Sequence, residues 1–146
     1  MKKVSRSRQE TAKIAKIFFN AYIKNKRSKT RALVFGLFGD LGVGKTAFTQ
    51  EIVKHLGIKN KVNSPTFVII KKYRVKIGSY KFLFHIDAYR LKNEKELLYL
   101  GWDKIIGKKE HIIFIEWPDN VRKIIPAHAK SIYISCTKSN NRRFEF

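Results

Sequence analysis

One cysteine, Cys136, stands in a chain of 146 residues, so no intrachain disulfide can brace the fold. A single thiol fits a reducing compartment, and a cytoplasmic location is the expectation. No apolar run approaches the roughly 18 residues needed to cross a bilayer, which excludes a transmembrane helix and sets the expectation of no membrane partner. The basic start, from Met1 to Arg8, leads into alternating polar and apolar residues rather than an unbroken apolar stretch. A signal peptide is therefore not expected. Proline is scarce, and the three present fall between the periodic segments. Acidic residues are scarcer than basic ones: 11 Asp and Glu against 32 Lys and Arg give a formal charge of +21. Such a balance suits a surface that attracts nucleic acid or an acidic partner. It also suits compositional drift in a chain rich in Lys, Ile and Asn, because the basic residues are scattered rather than gathered in one tract. Charge alone does not assign a function.

What is present is ample core material. Hydrophobic residues make up 44% and aromatics 13% of the chain, enough for one α/β domain spanning 1–146 and too little for two. Residues 9–24 place apolar side chains at helical spacing. Arg31 to Phe38 is nearly all apolar, as a strand buried on both faces would be. Thr46 to Leu56 reads as a helix ended by Gly57. Residues 67–75 and 80–86 read as a hairpin turning at Gly78-Ser79, and Glu94 to Leu100 as a short helix capped by Asn93. His111 to Ile115 is a second buried strand. Ser131 to Cys136 and Arg142 to Phe146 are the expected closing strands. The order points to an α/β fold with buried central strands and flanking helices.

Between the first buried strand and the second helix lies Gly39-Asp40-Leu41-Gly42-Val43-Gly44-Lys45-Thr46, the pattern G-x-x-x-x-G-K-[ST]. A polyphosphate needs several backbone N–H groups turned inward, and glycine lets the chain curl that tightly. The helix that follows aims its partly positive N-terminus at the anion. Lys45 would reach the β- and γ-phosphates, and the Thr46 hydroxyl would ligate Mg²⁺. The segment thus predicts a site for a purine nucleoside triphosphate with magnesium.

Such a site also needs carboxylates at neighbouring strand ends. Glu116 follows the apolar Ile112 to Ile115 and is the candidate metal residue. Asp87 closes Phe82 to Ile86 and could orient the attacking water; an ion pair with Arg90 is its plainer role. His85 shares a strand face with Asp87 and reads as structural. Thr66, in the stiff Ser64-Pro65-Thr66 loop, has the form of a switch threonine sensing the γ-phosphate, although a plain turn explains the same residues. Trp117 could stack or pack.

Together these blocks resemble one family. The phosphate loop, Ser64-Pro65-Thr66-Phe67, His85-Ile86-Asp87-Ala88-Tyr89-Arg90-Leu91, Glu96-Leu97, Leu100-Gly101 and Ile115-Glu116-Trp117-Pro118 follow one another as in the TsaE (YjeE) family of bacterial P-loop ATPases. The likeness spans Thr11 to the C-terminus. It implies a three-layer P-loop-type α/β fold with a central mixed sheet flanked by helices, and ATP hydrolysis at a low intrinsic rate in support of a TsaD–TsaB complex that makes threonylcarbamoyladenosine in tRNA. Carried over, Lys45 and the loop amides hold phosphates, Thr46 and Glu116 hold Mg²⁺, and Asp87 matches the catalytically important aspartate. Thr11 falls where relatives approach the base, and Arg142 or Arg143 where a C-terminal arginine lies near the nucleotide. The charge exceeds what the family leads one to expect, and no C-terminal extension is expected beyond the last strand.

Three other readings compete. A small metabolite kinase would need an acceptor pocket and an arginine-rich lid, and no compact arginine cluster follows the loop. A regulatory GTPase would need the guanine-reading N-K-x-D; Asn60-Lys61-Val62-Asn63 lacks the aspartate and stands in the wrong place, which favours adenine. A basic RNA-binding module with a vestigial loop would bind tRNA without nucleotide.

Overall fold

The computed structural model of the protein describes residues 1–24, 30–58 and 68–146. Their seven strands form one sheet in the order β1-β7-β6-β2-β5-β4-β3. The strands are β1 (Lys2–Ser5), β2 (Leu33–Phe38), β3 (Ile70–Ile77), β4 (Tyr80–Asp87), β5 (His111–Glu116), β6 (Lys130–Cys136) and β7 (Arg142–Glu145). The central four, β6, β2, β5 and β4, run parallel. Antiparallel strands finish each margin: β3 on β4, then β7 on β6 with β1 on β7. The sheet is mixed, as the family resemblance implies.

Helices cover both faces. On one lie α1 (Arg8–Phe19) and α2 (Lys45–His55); on the other lie α3 (Glu94–Tyr99), α4 (Trp102–Ile106) and a 3₁₀ segment, Pro118–Ile124. The α1 side buries a cluster of rings: Phe18 meets Phe35 and Phe48 edge-on, and Phe35 stacks on Phe114. Full burial of such a ring contributes about 1.5–3 kcal/mol. The opposite layer buries Val34, Ile86, Ile113 and Ile115 under Leu97, Trp102 and Val121. Both faces of β2 and β5 are therefore dry, which is why these strands read as continuous apolar runs.

Several expectations need correction. The basic N-terminus is not a lead-in: Lys2–Ser5 pairs with Arg142–Glu145 as an edge strand. Its alternation is too short to stand out in sequence, and the partner is supplied from the far end of the chain. The first helix starts at Arg8, where the Ser7 side chain accepts from the Glu10 N–H. It stops being α-helical at Phe19, because Asn20–Lys24 widens to a π turn that buries Ile23. A second short helix, α4, follows Gly101, whose φ of 93° turns the chain out of α3. Its Trp102 is buried and donates from Nε1 to Ile124 O at 3.2 Å. Among the described residues no helix is long and apolar enough to cross a membrane.

Candidate functional site

Parallel strands point their C-terminal ends to one side, and there an open sheet gathers its ligand site. Here β2 ends in the glycine loop, β5 ends in Glu116 and β4 ends in Asp87. The last two are direct partners in the β4–β5 register. A cleft of about 730 Å³ opens at this end. Its floor and walls include Gly42, Gly44, Lys45, Thr46, Asp87, Glu116, Trp117 and Arg142.

The loop's shape depends on glycine at two positions above all. Gly39 has φ of 142°, and a Cβ there would collide with the Ile134 carbonyl and come within 2.9 Å of Val43 Cγ2. Gly44, at φ of 109°, serves as the N-cap of α2, and a Cβ there would press on Arg142 at 3.1 Å. Both conformations are strained for any side chain. Arg142 in turn donates from Nε to Val43 O at 3.0 Å, so β7 clasps the loop. Leu41 at the loop's crest is exposed.

Lys45 opens α2 and is buried. Its ammonium donates to Gly39 O at 2.6 Å and Asp40 O at 2.8 Å, and lies 4.0 Å from the Trp117 ring centre. Burial lowers its pKa, while the charges of Glu116, Asp87 and Asp40 oppose that shift. Trp117 holds φ of 57° and ψ of 49°, the left-handed region, and its ring also packs on Tyr89 at 5.0 Å. A tryptophan there costs on the order of 1–3 kcal/mol in backbone strain, so its place over the lysine is held by its surroundings.

Thr46, the second residue of α2, meets the β5 carboxylate. Its Oγ1 lies 2.8 Å from Glu116 Oε1 and 3.1 Å from Oε2. Glu116 is buried and also meets His85 Nε2 at 2.6 Å. His85 is wholly buried, and its Nδ1 has no hydrogen-bond partner among the described residues. Asp87 accepts the Tyr89 N–H at 3.0 Å. Burial raises its pKa; that hydrogen bond opposes the rise and the charge of Glu116 adds to it.

A hydroxyl and a carboxylate beside a phosphate-sized glycine cradle form the hard oxygen set that magnesium takes together with phosphate and water. Among the described residues no three His, Cys, Asp or Glu are arranged to hold a metal by themselves. The residues fit an ion held jointly with a nucleotide.

The structure thus brings together Gly39 to Thr46, Asp87 and Glu116. It does not bring Thr11 to the cleft. That residue is buried at the β1–α1 corner, its Oγ1 2.8 Å from Ser5 Oγ and within 3.2 Å of Ser7 O. Thr66 and the Ser64-Pro65-Thr66-Phe67 block lie outside the described residues, as does Asn60 to Asn63. Sequence reasoning missed the His85–Glu116 contact, although the shared strand face of His85 and Asp87 was its signal. The placing of Trp117 over Lys45 left no signal of its own.

Known proteins agree with this geometry. Residues 5–144 match the family model for the threonylcarbamoyl adenosine biosynthesis protein TsaE. The chain is 36% identical over 113 residues to the tRNA threonylcarbamoyladenosine biosynthesis protein TsaE of Bacillus subtilis, covering 77% of this chain and 68% of that one. It is 32% identical over 138 residues to the same-named protein of Rickettsia prowazekii, covering 93% and 87%. Its fold superposes on the crystal structure of Bacillus subtilis YdiB with a TM-score of 0.70 at 28% identity, over 99% of this chain and 82% of that one. The loop at the sheet's carboxyl end, its two facing carboxylates and these likenesses converge: the chain belongs to the TsaE family of P-loop proteins of tRNA threonylcarbamoyladenosine biosynthesis.

Proposed function

We propose that this protein binds ATP with Mg²⁺ and hydrolyses it in support of a TsaD–TsaB type complex that modifies tRNA. The observation behind it is the contact between Thr46 and Glu116 at the mouth of the glycine loop. The amides of Gly39 to Thr46 and the N-terminus of α2 take the phosphates. Lys45 exchanges its carbonyl partners, Gly39 O and Asp40 O, for phosphate oxygens. Thr46 and Glu116 would hold the magnesium ion, which would supply charge neutralisation for the phosphates. Asp87 faces Glu116 across the strands and, with its pKa raised by burial, is the acceptor for the proton of a water. That water's oxygen bonds to the γ-phosphorus, the bond to the β–γ bridging oxygen breaks, and ADP and phosphate leave. By the family resemblance Thr66 senses the γ-phosphate.

Calorimetry with ATP, followed by phosphate release with and without the TsaD–TsaB pair, tests this reading. Binding that requires Mg²⁺, and release that rises when the pair is added, are the expected results. Turnover indifferent to the pair would refute the partnership. No nucleotide affinity at all would refute the whole proposal and leave tRNA binding by the basic surface in its place.

A further inference from the structure

Behind the Thr46–Glu116 contact sits a side chain with no task in the scheme above. His85 is fully buried on the strand face that carries Asp87. One ring nitrogen, Nε2, stands 2.6 Å from Glu116 Oε1, and the other, Nδ1, is buried with no partner among the described residues. This one-sided arrangement selects a tautomer. An N–H at Nδ1 would be a buried donor with nothing to receive it, which folded proteins rarely tolerate. A bare lone pair there costs less, and an ionised carboxylate only accepts. The proton therefore sits on Nε2.

The two oxygens of Glu116 are treated unequally. Oε1 takes the short contacts from both His85, at 2.6 Å, and Thr46, at 2.8 Å, whereas Oε2 has only the 3.1 Å approach of the same hydroxyl. Oε2 keeps most of its lone-pair capacity. We infer that His85 is a positioning residue for the metal site: its imidazole donates from Nε2 to Oε1 of Glu116 and fixes the carboxylate so that Oε2 serves the magnesium ion. The inference rests on the reading of Thr46 and Glu116 as the metal-holding pair. Outer partners of metal-site carboxylates and imidazoles are worth roughly tenfold to a hundredfold in metal affinity.

The test uses Mn²⁺ as probe, with free Mn²⁺ read by electron paramagnetic resonance in the presence of ADP. His85→Leu keeps bulk and removes the donor; His85→Gln restores an N–H. The Leu variant is expected to bind Mn²⁺ roughly tenfold to a hundredfold more weakly, with ADP affinity in EDTA at the parent value, and the Gln variant to recover most of the loss. Parent Mn²⁺ affinity in the Leu variant overturns the inference when Glu116→Gln does lose affinity. Parent affinity in both variants overturns the metal assignment itself. Should the Leu variant fail to fold, imidazole ¹⁵N spectra of the intact protein decide the matter. A slowly exchanging Nε2–H is the expected signal, and a proton on Nδ1 overturns the inference.

Discussion

Lys45 and Asp87 carry opposite burdens at the residue scale. Burial disfavours the charge of each, and the charge of Glu116 supports the lysine and opposes the aspartate. Lys45→Ala should weaken ATP binding by on the order of 3 kcal/mol, roughly a hundredfold, because a charge-assisted contact to phosphate is lost; calorimetry measures it directly. For Asp87 the folded chain holds the carboxyl proton more tightly than the unfolded chain does. Its contribution to stability is therefore full below the ordinary value of 3.8 and is lost as pH rises through the raised folded value. Asp87→Asn removes that loss and keeps an acceptor for the Tyr89 N–H. The variant should melt above the parent at pH 7 and converge with it in acid, while binding ATP and not turning it over. A parent that melts higher at pH 7 would contradict the assigned direction. The gathering of Lys45, Thr46, Asp87 and Glu116 at one cleft is legible in sequence, because each sits at a strand end or helix start marked by an apolar run. The position of Thr11 is not: the resemblance sets it near the base, whereas packing uses its hydroxyl to tie Ser5 to the turn of Ser7.

At the scale of elements, the glycine loop is a joint between β2, α2 and β6 rather than a free arc. Gly39 lies so close to the Ile134 carbonyl that no side chain fits. Gly39→Ala should therefore destabilise the fold by more than about 2 kcal/mol, from strain in φ and the collision together. Urea unfolding reads this; a loss confined to nucleotide affinity would show that the loop is tied to β6 more loosely than the contact implies. Phe48, wholly buried between Phe18 and Phe144, should cost about 3–5 kcal/mol on truncation to Ala. Buried central strands such as Leu33–Phe38 and His111–Glu116 announce themselves by unbroken apolar runs. Edge elements do not. Lys2–Ser5 is four residues of which only Ser5 is buried, and Trp102–Ile106 is a short helix whose signal is one buried tryptophan. Tertiary pairing defines both, and local pattern cannot supply it.

Over the whole molecule, charge is distributed as gaps in acid rather than as patches of base. No Asp or Glu occurs in residues 11–39, 52–86 or 120–144. Any affinity for RNA arising from this excess alone should fall by about a thousandfold or more between roughly 50 and 200 mM salt. It should also be indifferent to anticodon sequence; filter binding with two unrelated tRNAs checks both points. Retained affinity at the higher salt would instead indicate a shaped RNA site. A different long-range property follows from the clasp of Arg142 on Val43 O. Arg142 begins β7, and β7 is the strand on which β1 is laid, so the sheet's outermost margin is tethered to the loop that grips phosphate. Occupancy of the loop by nucleotide should slow amide hydrogen exchange across Lys2–Ser5, although none of those residues lines the cleft. The far edge of the sheet becomes a place where another protein could sense whether the loop is filled.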